Sequence, residues 1–285
     1  MLPIHIALVT EQSQLALAEL TAVAAALQKQ VLRDFAPLWG VQADVSAFGS
    51  LDDVPLDYWP VIIMDDIGSP DAAGYHQDKN GQPYSLVQYS SDWTLTASHE
   101  TLEMLGDPFG RRMIAGQSPV AGQGRVQFLV EVADPCEASQ FAYSVNGIVV
   151  SDFYTPNFFD AAQSSGARYS FTGAIKSPRQ VLKGGYLSWY APGPREWWQR
   201  TWFQGAKPTD RKIQIDVSNS NPRNAIDRLT AKDRLKAMAV GKAAKAQVAA
   251  ARQPGPAFAN RAADLRACVE EVMRIHGGKK RKRGS

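Results

Sequence analysis

Two cysteines in 285 residues, Cys136 and Cys268, are too few and too far apart for a disulfide framework or a cysteine-built zinc site. Such sparse thiols make a reducing, cytoplasmic setting the expected one. No apolar run reaches the roughly 18 residues of a membrane helix, so no membrane association is expected. The opening MLPIHIALVTEQ has neither a charged leader nor a small-residue cleavage site, so a signal peptide is not expected either. Internal repeats are also absent. Charged residues make up 21% and hydrophobic residues 45%, which excludes a disordered or collagen-like chain.

What is present is unevenly distributed. Residues 223–285 hold 16 Lys and Arg against 5 Asp and Glu, while residues 1–222 carry a net charge of −8. This reads as an acidic folded body with a basic appendage, free to contact nucleic acid, a membrane surface, an acidic partner or the body itself. The run Lys279–Arg283 is the densest part. No nucleic-acid-binding motif accompanies it, so a nucleic-acid role has no support.

Hydrophobic periodicity predicts strands over 3–10, 41–48 and 60–67, with a long amphipathic helix over 12–35 between the first two. Residues 68–83, rich in Gly, Pro and Asn, read as a loop. A brief strand is expected over 84–89 and a helix over 93–105, capped by Asp92 or Thr94 and stopped by Gly106 and Pro108. Residues 110–124 read as a second loop. Alternation predicts a half-buried strand over 126–132, and Asn146-Gly147 marks a hairpin between 141–145 and 148–153. Residues 156–210 read as irregular structure with short strands, and four of the seven Trp lie within 189–202. Asn221-Pro222 reads as a helix start, followed by helices over 225–251 and 258–276 and a disordered end.

The stretch that carries chemistry is WTLTASHETLEMLGDP, residues 93–108. His99 and Glu103 are four apart on a predicted helix, so they project from one face. Glu100 follows His99. This is the layout of the H-E-x-x-H zinc helix with Glu in place of the second His. In that motif the residues at i and i+4 ligate the metal, and the Glu at i+1 serves as general base. Imidazole and carboxylate suit zinc, with a slight tilt toward manganese.

The string S-H-E-x-x-E-x-x-x-D-P, followed by E-V-x-D-P-C-E, resembles a group of zincin-like proteins with H-E-x-x-E helices. The element order over residues 1–155 is similar to the N-terminal half of zincin metallopeptidases. The resemblance implies an α+β fold: a zincin-like mixed sheet with a long backing helix and an active-site helix. It also implies that the short strand before that helix, here 84–89, lies at the sheet edge and pairs with an extended peptide substrate.

A further ligand is needed, because catalytic zinc has three protein ligands. Asp107 lies about 12 Å along a straight helix from His99 and would serve only if the helix breaks; a turn-stabilising role is the alternative. Glu131 and Asp134 are the leading candidates, with Glu137 behind. Cys136 reads as a buried residue more than a ligand or nucleophile. Tyr143, Tyr154 or Tyr186 could stabilise an oxyanion. His76, in the loop, is expected to face solvent; His5 and His276 read as structural or exposed.

The sequence thus predicts a metal-binding core over 1–155, an aromatic-rich region over 156–221 packed on it, and a basic helical extension over 222–285. The functional expectation is a zinc-dependent hydrolase of peptidase type acting on a peptide or protein. His99, Glu103 and Asp134 or Glu131 are its ligands and Glu100 its base. The alternative is a non-catalytic zincin-like assembly protein that meets an acidic partner through 222–285. The Trp cluster reads first as packing and second as a carbohydrate platform.

Overall fold

Ile6, Ala7, Leu8 and Val9 have no solvent exposure, as consecutive residues can only in a strand covered on both faces. They belong to β1 (Ile4–Thr10), which pairs parallel with β2 (Ala43–Phe48) on one side and β3 (Tyr58–Met64) on the other. β3 pairs parallel with a strand at Gln82–Gln88, and that strand pairs antiparallel with another at Gly74–Lys79. In chain order these last two are β5 and β4, and the sheet runs β2-β1-β3-β5-β4. The computed structural model describes residues 3–12, 14–69, 72–217 and 221–239, and within them the chain is α+β.

Two expectations are corrected here. The segment 68–83 is not all loop, because β4 lies within it. The strand predicted at 84–89 is not at the edge, since β4 covers it. The turn residues Asn80 and Gly81, both at positive φ, close a tight β4–β5 hairpin rather than a long connection.

Helix α1 (Leu17–Lys29) buries Leu20, Val23, Ala24, Ala26 and Leu27 behind this sheet. It continues through a π-helical turn at Gln30–Phe35 into the short α2 (Ala36–Trp39), and Gly40 at φ 68° ends it. The widened turn places Gln30 fully inside. Gln30 donates to the Ser151 carbonyl (3.0 Å) and accepts from Ser98 Oγ (2.8 Å). A buried amide satisfied in this way ties the backing helix to the residue before His99.

Helix α3 (Trp93–Gly106) is buried along its whole length, although half its residues are polar. It ends at Gly106 as expected, but Asp92 makes no side-chain cap bond and Thr94 Oγ1 instead donates to the Val149 carbonyl. The first sheet covers one side of α3. α3 also packs against β9 (Ile148–Val150), one of a second, antiparallel set of strands. The set contains β6 (Met113–Gln117) and β7 (Arg125–Leu129), the small hairpin of β8 (Tyr143–Val145) with β9, and β10 (Tyr186–Ala191), β11 (Glu196–Thr201) and β12 (Thr209–Ile213). Its five-stranded sheet runs β12-β11-β10-β7-β6. β6 lies in the expected loop 110–124. The sheet draws strands from both sides of residue 155, so the aromatic region shares a sheet with the preceding one. Trp189 is fully buried and stacks on Trp198 at 6.5 Å, which is packing.

Asn221 Oδ1 accepts from the Asn224 N–H at 2.8 Å, capping α4 (Pro222–Ala239) as the Asn-Pro pair suggests. The expected continuation to 251, the helix over 258–276 and the end beyond it lie outside the described residues. No described helix is long and apolar enough to cross a membrane.

Gly74 lets β4 approach α3. A Cβ there would sit 2.6 Å from Thr96 Cγ2 and 3.1 Å from Glu100 Cγ. Thr96 is short and branched and cannot swing away. Gly74→Ala should therefore destabilise the protein by about 1–3 kcal/mol in urea denaturation; an unchanged midpoint would contradict this packing.

Candidate metal centre

Glu103 stands at the middle of the site. It is fully buried on α3, and its Oε1 accepts from the Ala133 N–H at 3.3 Å. That bond, from the chain leaving β7, leaves Oε2 facing inward. His99 Nε2, one turn earlier, lies 3.2 Å from Glu103 Oε2 and 3.4 Å from Asp134 Oδ1. Asp134 opens a 3-10 turn, Asp134–Cys136, held tight by the Leu182 N–H on the Pro135 carbonyl. Gly185 packs on that turn so closely that a Cβ would meet the Asp134 carbonyl at 2.5 Å.

His99 Nε2 makes neither contact with hydrogen-bond geometry. The spacings do match the edge of a tetrahedron whose metal–ligand bonds are 2.0–2.2 Å, about 3.3–3.6 Å. The donor set, one imidazole and two carboxylates, is one that zinc or manganese accepts. His99, Glu103 and Asp134 therefore fit a divalent cation.

His76, expected in solvent, has no exposure and points from β4 toward the same carboxylates. Its Nε2 lies 2.9 Å from the Asp107 carbonyl. A carbonyl only accepts, so Nε2 carries the proton and Nδ1 presents its lone pair in the neutral ring. Nδ1 lies 3.6 Å from Glu100 Oε2 and 4.0 Å from Glu103 Oε2, with no hydrogen-bond partner among the described residues.

Arg223, from the first turn of α4, is 1% exposed and enters the cluster. Its Nη2 lies 2.6 Å from Glu103 Oε2 and 3.6 Å from Glu100 Oε2, its Nη1 pairs with Glu131, and its Nε lies 3.2 Å from Asp227. Asp227 accepts in turn from the Tyr186 hydroxyl at 3.0 Å.

These fields set the protonation states. Burial works to lower the His99 pKa, but Glu103, Asp134 and Glu100 hold it well above the usual imidazole value. Burial works to raise that of Glu103, and Arg223 and His99 hold it well below the carboxylate range. Burial, reinforced by Asp152 and Asp134, pushes the Cys136 thiol well up, which leaves it a poor nucleophile.

No family model, curated protein or solved structure matches this chain. The site is read from its own geometry.

The structure thus brings His99, Glu103 and Asp134 together and sends Glu131 to Arg223. Glu100 lies between His76 and Arg223. Asp107 takes the turn role, accepting from the Arg112 N–H at 2.8 Å. Of the three tyrosines, Tyr154 accepts from the Glu131 N–H, Tyr143 donates to Asp34, and Tyr186 steadies Asp227. Sequence reasoning missed His76 and Arg223. β4 has no apolar alternation to reveal it, and the Asn-Pro helix start was the one pointer to the segment bearing Arg223.

Removing Arg223 would leave Glu131 and Glu103 buried beside one another without their counter-charge. Arg223→Ala should cost about 3–5 kcal/mol in urea denaturation, whereas the exposed Arg228→Ala should stay within about 0.5 kcal/mol. Equal effects would contradict the placement of Arg223.

Proposed function

We propose that this protein is a metal-dependent hydrolase of the zincin-like type, acting on a peptide bond. The observation that carries the reading is the convergence of His99 Nε2, Glu103 Oε2 and Asp134 Oδ1, three buried ligand atoms within 4.8 Å of one another. The zincin-like type rests on the H-E-x-x-E string of α3, since the first sheet does not bring 84–89 to its edge as that resemblance implies.

His99, Glu103 and Asp134 would hold zinc, or manganese in its place. Such an ion supplies Lewis-acid chemistry, acidifying water and polarising a carbonyl. Glu100 takes a proton at Oε2 and returns it to the leaving amine. Gly74 leaves the room in which Glu100 lies. Among the described residues no strand pairs with the outer edge of β4, and that edge offers backbone groups to an extended peptide, the part the sequence assigns to 84–89. A reducing cytoplasm suits the buried free thiol of Cys136.

A second reading draws on Arg223. The basic segment 222–285 places its first buried cation in an acidic cluster of this same chain. That favours a segment built to meet acidic surfaces, as in a non-catalytic assembly protein.

Full-length protein stripped with chelator should regain zinc or manganese. His99→Ala should weaken uptake by about 100-fold or more, given that supporting residues alone contribute 10- to 100-fold. Glu100→Gln should keep the ion at the His99 triad yet slow cleavage of a mixed peptide library by about 10²–10⁴-fold. Wild type that takes up neither metal would refute the hydrolase reading. Metal uptake without cleavage by any peptide would favour the assembly reading.

A further inference from the structure

We infer that His76, Glu100 and Glu103 form a second divalent-cation site adjoining the first, with Glu103 shared between the two ions. The inference rests on the metal reading of His99, Glu103 and Asp134 and extends it from one ion to two.

Three independent features lead here. The first is the orientation of His76. Its Nε2–H is committed to the Asp107 carbonyl, so Nδ1 has a lone pair and no proton to offer in the neutral ring. In the neutral ring that lone pair faces two carboxylate oxygens, at 3.6 and 4.0 Å; Arg223 Nη2 reaches the same oxygens from 3.6 and 2.6 Å but leaves Nδ1 without a partner among the described residues, and a cation between the three would satisfy it. A backbone carbonyl anchoring the far nitrogen is also how metal-binding imidazoles are oriented.

The second feature is shape. Nδ1 of His76 and the oxygens of Glu100 and Glu103 lie within 4.8 Å of one another, as do the atoms of the first triad. The two triads come from different elements, β4 with α3 and the 134–136 turn with α3, and meet at one carboxylate. Two-metal centres place their ions about 3.5–4 Å apart, a spacing that one shared carboxylate spans.

The third feature is charge. Five carboxylates lie within 4.0 Å of Arg223 or the two imidazoles: Glu100, Glu103, Glu131, Asp134 and Asp227. Arg223 offsets one, and an imidazole that ligates a metal is neutral. A single divalent ion then leaves two negative charges uncompensated in a cluster of which all but Asp227 is buried, where isolated charge is costly. A second ion brings the cluster to neutrality.

The second set holds one nitrogen and two carboxylates, an oxygen-rich donor set suited to manganese. Glu100 then acts either as a ligand of the second ion or as a base, not as both at once.

The test is manganese binding to the full-length chain after chelator treatment, followed by calorimetry and electron paramagnetic resonance. The inference predicts two equivalents per chain and a broadened, spin-coupled signal at saturation. His76→Ala should retain one equivalent and show the sharp six-line spectrum of isolated manganese. If His76→Ala loses its native circular dichroism, Glu100→Gln replaces it, with the same expectation. One equivalent in wild type, unchanged by either substitution, would overturn the second site and leave the first standing. Two equivalents that neither substitution alters would also overturn it, by placing the second ion elsewhere. No uptake at all would overturn both sites.

Discussion

Glu103 holds a full negative charge with no exposed surface of its own, and most of the site follows from how that charge is met. An isolated carboxylate in the interior would take up a proton rather than stay ionised. Here Arg223 and His99 keep it ionised, His76 faces it from β4, and the Ala133 N–H fixes its other oxygen. Three segments far apart in the chain are thereby pinned to one helix: the β4 edge, the turn after β7 and the start of α4. The buried polar face of α3, which would be a liability in an ordinary core helix, is the surface on which they meet.

The fold serves this arrangement. Gln30, at the π-helical turn, bonds Ser98 and the Ser151 carbonyl, and so sets the height of α3 against the backing helix. Gly74 and Gly185 remove side chains where β4 and the 134–136 turn press closest on the site. Widened helical turns and close backbone approaches of this kind collect at functional sites because rigid support there sets ligand geometry.

How much of this could be read from the sequence depended on local signals. His99, Glu100 and Glu103 are legible because a helix turns spacing into proximity. Asp134 was within reach because strand ends and loops carry functional side chains, but it stood level with Glu131, and a plain acidic turn read equally well. β1, β2, β3 and the Asn146-Gly147 hairpin follow from periodicity and turn chemistry. β4 was hidden because its inward positions are Gly74 and His76, neither of which registers as hydrophobic, and its flanks are turn residues. The edge position of 84–89 failed with it, since a sheet edge is defined by what does not pair. Arg223 was concealed differently. A basic residue in a basic segment reads as solvated, and its acidic partners lie some 90 to 120 residues earlier in the chain. Among the roles weighed for Glu131, its pairing with Arg223 was not included for the same reason.

The central claim is that His99, Glu103 and Asp134 converge on a cation. Anomalous diffraction from crystals grown with zinc tests it most directly. The account predicts a strong anomalous peak bonded to His99 Nε2 and to oxygens of Glu103 and Asp134, at about 2.0–2.2 Å from each. Crystals whose anomalous map is flat there, with the imidazole hydrogen-bonded directly to the two carboxylates, would contradict it.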